Sequence, residues 1–146
     1  MIVRRANLGD ISALVFLLNR MHKETTSEIP KINTAKLVDK INQLLHTGVV
    51  LVGIDDNNNI VGSIAGQKNT DWWADEEHIG DLWYYVIPDA RKSTIAKKLL
   101  INFIKIVKEA KMKLRLGHVF SGDVGRKDKF YERHGFQRAG TVYIEG

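Results

Sequence analysis

The sequence predicts one α/β domain: a mixed, mostly antiparallel sheet of about six strands flanked by helices, in the order β-α-α-β-β-β-α-β-α-β. Three observations carry this. The chain has 146 residues, the size of a single compact domain. Stretches with helical apolar spacing alternate with short β-rich runs. No repeat, low-complexity segment or internal linker interrupts them, so residues 1–146 read as one domain.

Each element follows from local chemistry. Ile2 and Val3 open a short strand that ends at Asn7-Leu8-Gly9. Asp10 is the expected N-cap of a helix whose Ile11, Leu14, Val15, Leu17, Leu18 and Met21 fall on one face. Thr25, Thr26, Ser27 and Pro30 mark a loop from Glu24 to Asn33. Thr34 then caps a second helix through Leu37, Ile41, Leu44 and Leu45, which Gly48 stops. Val49 to Ile54 is a nearly continuous β-rich run, and the polar turn Asp55 to Asn59 returns it as Ile60 to Ala65. Gln67 to Ile79 reads as a polar and aromatic insert, followed by a strand from Leu82 to Ile87 that Pro88 closes. Ser93 or Thr94 begins a long helix with Ile95, Leu99, Leu100, Phe103, Ile104, Ile106 and Val107 on a broad apolar face. Lys113 to Phe120 is expected as a strand. A short helix containing Phe130 and Tyr131 follows, ended by Gly135 in the left-handed conformation. Gln137 to Ile144 is expected to complete the sheet.

Composition excludes several chemistries. Without cysteine there is no disulfide, zinc–thiolate site or thiol nucleophile, and no metal is expected. The chain opens on Ile2-Val3-Arg4-Arg5 without a signal-like apolar stretch. No run approaches the roughly 20 apolar residues of a membrane span, so a cytoplasmic location with no membrane partner is the expectation. The net charge of +5 hides an asymmetry. Residues 1–90 hold 8 Lys and Arg against 12 Asp and Glu, whereas residues 91–146 hold 14 against 5. The second part suits a polyanion and the first a cation, although solvated surfaces account for such a balance equally well.

The most informative stretch is Val86-Ile87-Pro88-Asp89-Ala90-Arg91-Lys92-Ser93-Thr94-Ile95-Ala96. A strand ends, a short loop turns, and an amphipathic helix begins at once. Its free N–H groups and the positive end of its dipole favour an anion such as a pyrophosphate. Arg91 and Lys92 stand at the mouth, with Lys97 and Lys98 in the first turns. Here the chain resembles the GNAT superfamily of N-acetyltransferases, whose coenzyme A signature is Gln/Arg-x-x-Gly-x-Gly/Ala after a strand often ending in Val-x-Pro. Arg91-Lys92-Ser93-Thr94-Ile95-Ala96 matches except at Thr94, which replaces the middle glycine. Glycine there lets backbone and phosphate approach closely; Thr94 can still serve if its φ is negative and its hydroxyl supplies a phosphate contact. A second segment, Phe130-Tyr131-Glu132-Arg133-His134-Gly135-Phe136, is similar to the family's Tyr-Glu-x-x-Gly-Phe, and lies at the usual spacing of 40 residues from Arg91 to Tyr131.

The resemblance implies a GNAT-like sheet and transfer of an acetyl group from acetyl-coenzyme A to a primary amine by direct attack in a ternary complex. It implies that the fourth and fifth strands splay apart and that pantetheine lies in the gap, pairing with main-chain atoms near Tyr85 and Val86. The pyrophosphate then rests on the segment Arg91, Lys92, Ser93, Thr94, Ile95, Ala96 and Lys97. An amide near Tyr85 meets the acetyl oxygen. Tyr131 is implied as general acid to the departing thiolate; otherwise it only packs its helix on the sheet. The base is open. Alignment puts Gly80 where a family glutamate falls, and strand alternation turns the adjacent Asp81 to the other face unless a bulge intervenes. Asp81 and Glu77 are base candidates, beside His78, His118 and an ordered water chain. The family's asparagine seven residues before the tyrosine falls on Val124, so Asp123 is the substitute coenzyme contact.

The acceptor groove implied by the family lies between the first-helix loop and the connection holding Trp72 and Trp73 among Asp71, Asp75, Glu76 and Glu77. Carboxylates and aromatic faces attract cations. Trp72, Trp73, Asp75 and Glu76 therefore suggest a cationic small molecule or lysine-bearing peptide, unless the tryptophans pack on a neighbouring loop or a second subunit. Dimers are common in the family, so a homodimer is compatible. Two other classes stand beside the enzyme: a non-catalytic binding module with a degenerated site, and a basic nucleic-acid binder. No nucleic-acid motif supports the latter, so nucleic acid is not an expected partner.

Overall fold

A computed structural model describes residues 1–25, 29–117, 124–141, 143 and 145. Among them, five strands form one sheet in chain order: β1 (Ile2–Arg5), β2 (Val49–Ile54), β3 (Ile60–Thr70), β4 (Glu77–Val86) and β5 (Lys113–Arg115). β1 to β4 pair antiparallel, and β5 runs parallel to β4. Helix α1 (Ile11–Glu24) and helix α2 (Thr34–Thr47) lie between β1 and β2 in sequence. Helix α3 (Ile95–Glu109) crosses from β4 to β5, and helix α4 (Val124–Arg133) follows β5. The α/β class and the order of elements through α4 are as read from the sequence. No described helix is long and apolar enough to cross a membrane.

The sheet separates two cores. On one face α1 and α2 bury Leu14, Leu18, Ile41 and Leu44 against Val50, Val52, Ala65 and Trp83. On the other, α3 buries Ile95, Leu99, Leu100, Phe103 and Val107 against Leu51, Val61, Ile64, Ile79 and Val86. β2 is buried along its whole length, because it faces both layers. That explains a run of apolar residues without alternation. Two glycines let α3 settle on the sheet. A Cβ on Gly53 would lie 2.6 Å from Ile95, and one on Gly66 2.7 Å from Phe103.

Several boundaries differ from the sequence reading, each for a local reason. Asp10 makes no capping bond to α1. Asn7 caps the single 3-10 turn Leu8–Asp10, while Asp10 accepts from the Asn7 amide at 2.8 Å and takes a two-pronged bond from Arg4 at 2.7 and 3.0 Å. Asn33, not Thr34, caps α2 by accepting from the Lys36 amide at 3.1 Å. The insert expected over Gln67 to Ile79 is mostly strand: β3 and β4 pair out to Thr70 and Glu77, leaving 71–76 as the connection. The polar residues there defeat a reading based on apolar alternation, yet their backbone completes the ladder. β5 covers Lys113–Arg115 rather than extending to Phe120, whose residues 118–120 lie outside the described set. The last strand expected over 137–144 is absent from the described residues of that stretch. Residues 137–141 are exposed and outside any strand, so the sheet has five described strands rather than six.

Candidate functional site

The fifth strand leaves the sheet after three pairs, His78↔Lys113, Ile79↔Leu114 and Gly80↔Arg115. One residue later, the Asp81 carboxylate accepts the Gly117 amide at 2.9 Å. A side chain therefore takes the amide that would otherwise face the backbone of β4, and the ladder stops there. From Asp81 to Val86, β4 has no strand partner on this edge among the described residues. Among the described residues, pairing between the fourth and fifth strands thus ends at Gly80, with the Asp81 side chain as a wedge at the next position.

A register shift fixes which way the side chains of β4 point. Ala65 pairs with Trp83 and Gly66 with Asp81, so Leu82 is the extra residue of a β-bulge. Trp83 and Leu82 both join the α1–α2 core, whereas Ile79, Tyr84 and Val86 belong to the α3 side. Alternation from Ile79 places Asp81 on the α3 side as well. The bulge on which that orientation depended is therefore there, and Gly80 faces the opposite layer.

Beyond β4, Pro88–Ala90 forms a 3-10 turn that leads into α3. Thr94 is the N-cap residue with φ −81° and ψ 0°, and its side chain makes no capping bond. Threonine adopts this conformation without strain, so the missing glycine imposes no backbone cost. The first amides of α3 have no intrahelical acceptor. One of them, Ile95, has only a 3.3 Å contact to the Ser93 hydroxyl, which itself donates to Ala90 at 2.6 Å. Lys92 and Lys97 are exposed beside them. Tyr84 reaches up from β4 and donates to the Ala96 carbonyl at 2.5 Å, tying the first turn of α3 to the open strand.

Tyr131 packs from α4 onto the α3-side core, with ring neighbours Phe130 at 6.0 Å and Phe136 at 6.2 Å. Burial, and then the negative charge of Asp81, push its phenol well above the ordinary tyrosine range. Burial and then Tyr131 do the same to Tyr84. Tyr131 thus lies near enough to Asp81 and Tyr84 for their charges to act on one another, and its phenol keeps its proton at neutral pH. On the same helix, burial and then Arg91 lower Lys127. Glu77 is exposed at the far end of β4, four residues before Asp81, roughly 13 Å along the strand. His78 is buried at the β5 ladder. Asp123 and His118 lie outside the described residues.

The connection between β3 and β4 is held by Asp71, whose two oxygens each accept from Arg115 at 2.7 Å. Arg115 holds the Asp71 carboxyl below its usual range. Trp72 and Trp73 stack edge to face at 5.2 Å, and are 92% and 67% exposed. Among the described residues, no neighbouring loop covers much of either ring. Asp75 and Glu76 are exposed beside them.

One group escaped the sequence reading. Glu24, the last residue of α1, accepts from the Tyr85 phenol at 2.6 Å and from Arg91 at 2.6 Å. Burial raises the Glu24 carboxyl, but these two donors outweigh it and hold the group below its ordinary value. Burial and the bond to Glu24 push Tyr85 up to about 12. Arg91 also donates through Nε to the Val86 carbonyl at 2.9 Å and lies 5.5 Å above the Tyr85 ring. Nothing in the local sequence around Glu24 signals this, because its partners are 61 and 67 residues away.

The open edge, the uncapped helix start and the bordering cations fit a long ligand with a phosphorylated end. Comparison with known proteins agrees. The model of an acetyltransferase (GNAT) domain matches residues 46–138. No curated protein is detectably similar in sequence. Among solved structures, a Clostridium acetobutylicum protein described as a predicted acetyltransferase with acetyl-CoA superposes with a TM-score of 0.77 at 22% identity, over 99% of this chain and 95% of that one. An aminoglycoside 6'-N-acetyltransferase from Acinetobacter haemolyticus gives 0.74 at 15% identity, over 100% and 97%. An acetyltransferase from Trypanosoma brucei gives 0.73 at 19% identity, over 99% and 98%. The matched domain spans the open edge of β4, the helix start and Tyr131, and the chain belongs to the GNAT acetyltransferase family.

Proposed function

We propose that this protein moves an acetyl group from acetyl-coenzyme A to a primary amine, by direct attack within a ternary complex. The observation that carries the reading is the edge of β4 without a strand partner among the described residues, running from Asp81 towards the uncapped start of α3, with Tyr131 packed on the core that Tyr84 and Val86 of β4 join. Pantetheine amides pair with backbone groups near Tyr85 and Val86, once Arg91 releases the Val86 carbonyl. The diphosphate lies on the amides of Lys92 to Ala96, within reach of Arg91 and Lys97. Asp123 is a further coenzyme contact by position.

In the transfer, the amine nitrogen adds to the acetyl carbonyl and a β4 amide stabilises the oxyanion. The carbon–sulfur bond then breaks, the departing thiolate takes the proton of Tyr131, and the proton that the nitrogen loses on becoming an amide returns to the tyrosinate, directly or through water. Burial holds the Tyr131 phenol above the ordinary tyrosine range, so it carries its proton at neutral pH. The ammonium of the acceptor must first lose a proton. Asp81 lies on the α3 side of β4 with its carboxylate on the Gly117 amide, and takes that proton through water if it is the base. Glu77, further from the open edge, is the weaker base.

Asp75, Glu76, Trp72 and Trp73 present carboxylates and open aromatic faces, which suits a cationic acceptor. The test is steady-state acetylation over a panel of polyamines, aminoglycosides, lysine peptides and neutral amino acids. Turnover of cationic amines is expected. Reaction with neutral amino acids alone would refute the acceptor class, and no turnover of any amine would refute the transfer.

A further inference from the structure

The Glu24–Tyr85–Arg91 cluster has the chemistry of a cation site: a carboxylate, an aromatic face and a phenol, closed over by a guanidinium. Glu24 ends α1, on the layer opposite α3. Tyr85 projects from β4 towards that layer. Arg91 belongs to the loop that opens α3. Three elements therefore meet through one guanidinium. Arg91 gives Nη2 to Glu24 at 2.6 Å, Nε to the Val86 carbonyl at 2.9 Å, and stands 5.5 Å above the Tyr85 ring. Its side chain is 48% exposed and that of Glu24 36%, so the pair is neither locked in the core nor fully in water.

Resting on the coenzyme reading above, we infer that Glu24 and the coenzyme's diphosphate compete for Arg91, so that coenzyme binding draws Arg91 away and turns the Glu24–Tyr85 pair towards the ammonium of the acceptor. The argument is one of charge. Arg91 is one residue from the amides that receive the diphosphate, and a doubly charged anion attracts it more strongly than a single carboxylate does. The same guanidinium covers the Val86 carbonyl, which the pantetheine needs for its β-like pairing. One movement of Arg91 thus clears a backbone acceptor, supplies a cation to the phosphates and exposes a carboxylate on the acceptor side. Coenzyme is then bound before amine, and Glu24 becomes the acceptor's charge partner.

The test measures acetyl-coenzyme A affinity by calorimetry for the wild type, Glu24→Gln, Arg91→Ala and the double variant. Removing the competing carboxylate tightens coenzyme binding by about threefold or more, in keeping with a partly exposed ion pair. In the Arg91→Ala background, the same substitution changes affinity by less than about 1.5-fold. Glu24→Asp, too short to hold both Tyr85 and Arg91, tightens binding in the same direction and guards against a folding defect in the first variant. Unchanged or weaker binding by Glu24→Gln overturns the exchange, since Glu24 would then merely brace Arg91. Equal tightening with and without Arg91 also overturns it, because the effect would be bulk charge. Absence of acetyl-coenzyme A binding by the wild type refutes the coenzyme reading itself, a result distinct from either.

Discussion

The two edges of β4 are built to opposite specifications. Along β3 it pairs through nine positions, from Gly62↔Val86 to Thr70↔Glu77, and its β3 partners from Gly62 to Gly66 are buried. Along β5 it pairs through three, after which the Asp81 carboxylate intercepts the Gly117 amide. The closed edge has its backbone groups satisfied by the chain itself, so it contributes stability and no recognition. The open edge leaves polar groups for something else to satisfy. A strand that keeps one edge shut can leave the other open without unravelling.

That contrast predicts which substitutions affect folding and which affect turnover. The largest effect belongs to the closed side. Phe103, fully buried against Gly66, should cost about 3–5 kcal/mol when replaced by alanine. Denaturant unfolding checks this, and coenzyme affinity of the folded fraction should not change. On the open side, Tyr131→Phe should lower kcat by roughly 10²-fold, equivalent to about 2.7 kcal/mol of barrier, while unfolding shifts by less than about 1 kcal/mol. Because the phenol is raised, its acid form persists as pH rises, so wild-type kcat should show no loss from this group between about pH 7 and pH 10. A fall centred below that range would assign the proton donation elsewhere.

Smaller effects sharpen the same division. Asp10 is held below the usual carboxylate range, first by its hydrogen bond from Arg4. The stability it contributes is present above the unfolded value, near pH 3.9, and disappears as pH falls through the depressed folded one. Asp10→Asn should therefore cost about 1–3 kcal/mol near neutrality, with the gap to wild type closing as the pH is lowered past that range. Unfolding midpoints across pH 2–7 measure it. Ser63 lies wholly within the sheet, accepting from Trp83 Nε1 at 2.9 Å and donating to the Leu51 carbonyl at 2.7 Å. Ser63→Ala leaves the indole N–H unpaired and should cost about 1–2 kcal/mol. Turnover should stay within about twofold of wild type, since distant, uncoupled sites behave independently.

Legibility in the sequence divides along similar lines. Helices α1, α2 and α3 declare themselves because their buried residues recur at helical spacing. The loop from Val86 to Ala96 is legible because one short segment holds the strand end, the turn and the helix start. The wedge is not. Asp81 reads as misdirected until Leu82 is known to be a bulge, and that depends on how β4 registers against β3. Likewise, Gln67 to Thr70 look like loop because polar residues on a strand extension carry no apolar alternation. Glu24 reads as the start of a loop, since its role exists only once α1 ends beside Tyr85 and Arg91. Local chemistry was readable; contacts between distant segments were not.

The central claim is that acetyl-coenzyme A lies on the open edge of β4 with its diphosphate at the start of α3. The most direct measurement is calorimetric titration of the wild type and of Thr94→Trp with acetyl-coenzyme A. Micromolar binding by the wild type, about −8 kcal/mol, and loss of at least about 100-fold in the variant are predicted, because the indole would stand over the amides that receive the phosphates. Equal binding by both proteins, or none by the wild type, would contradict the claim.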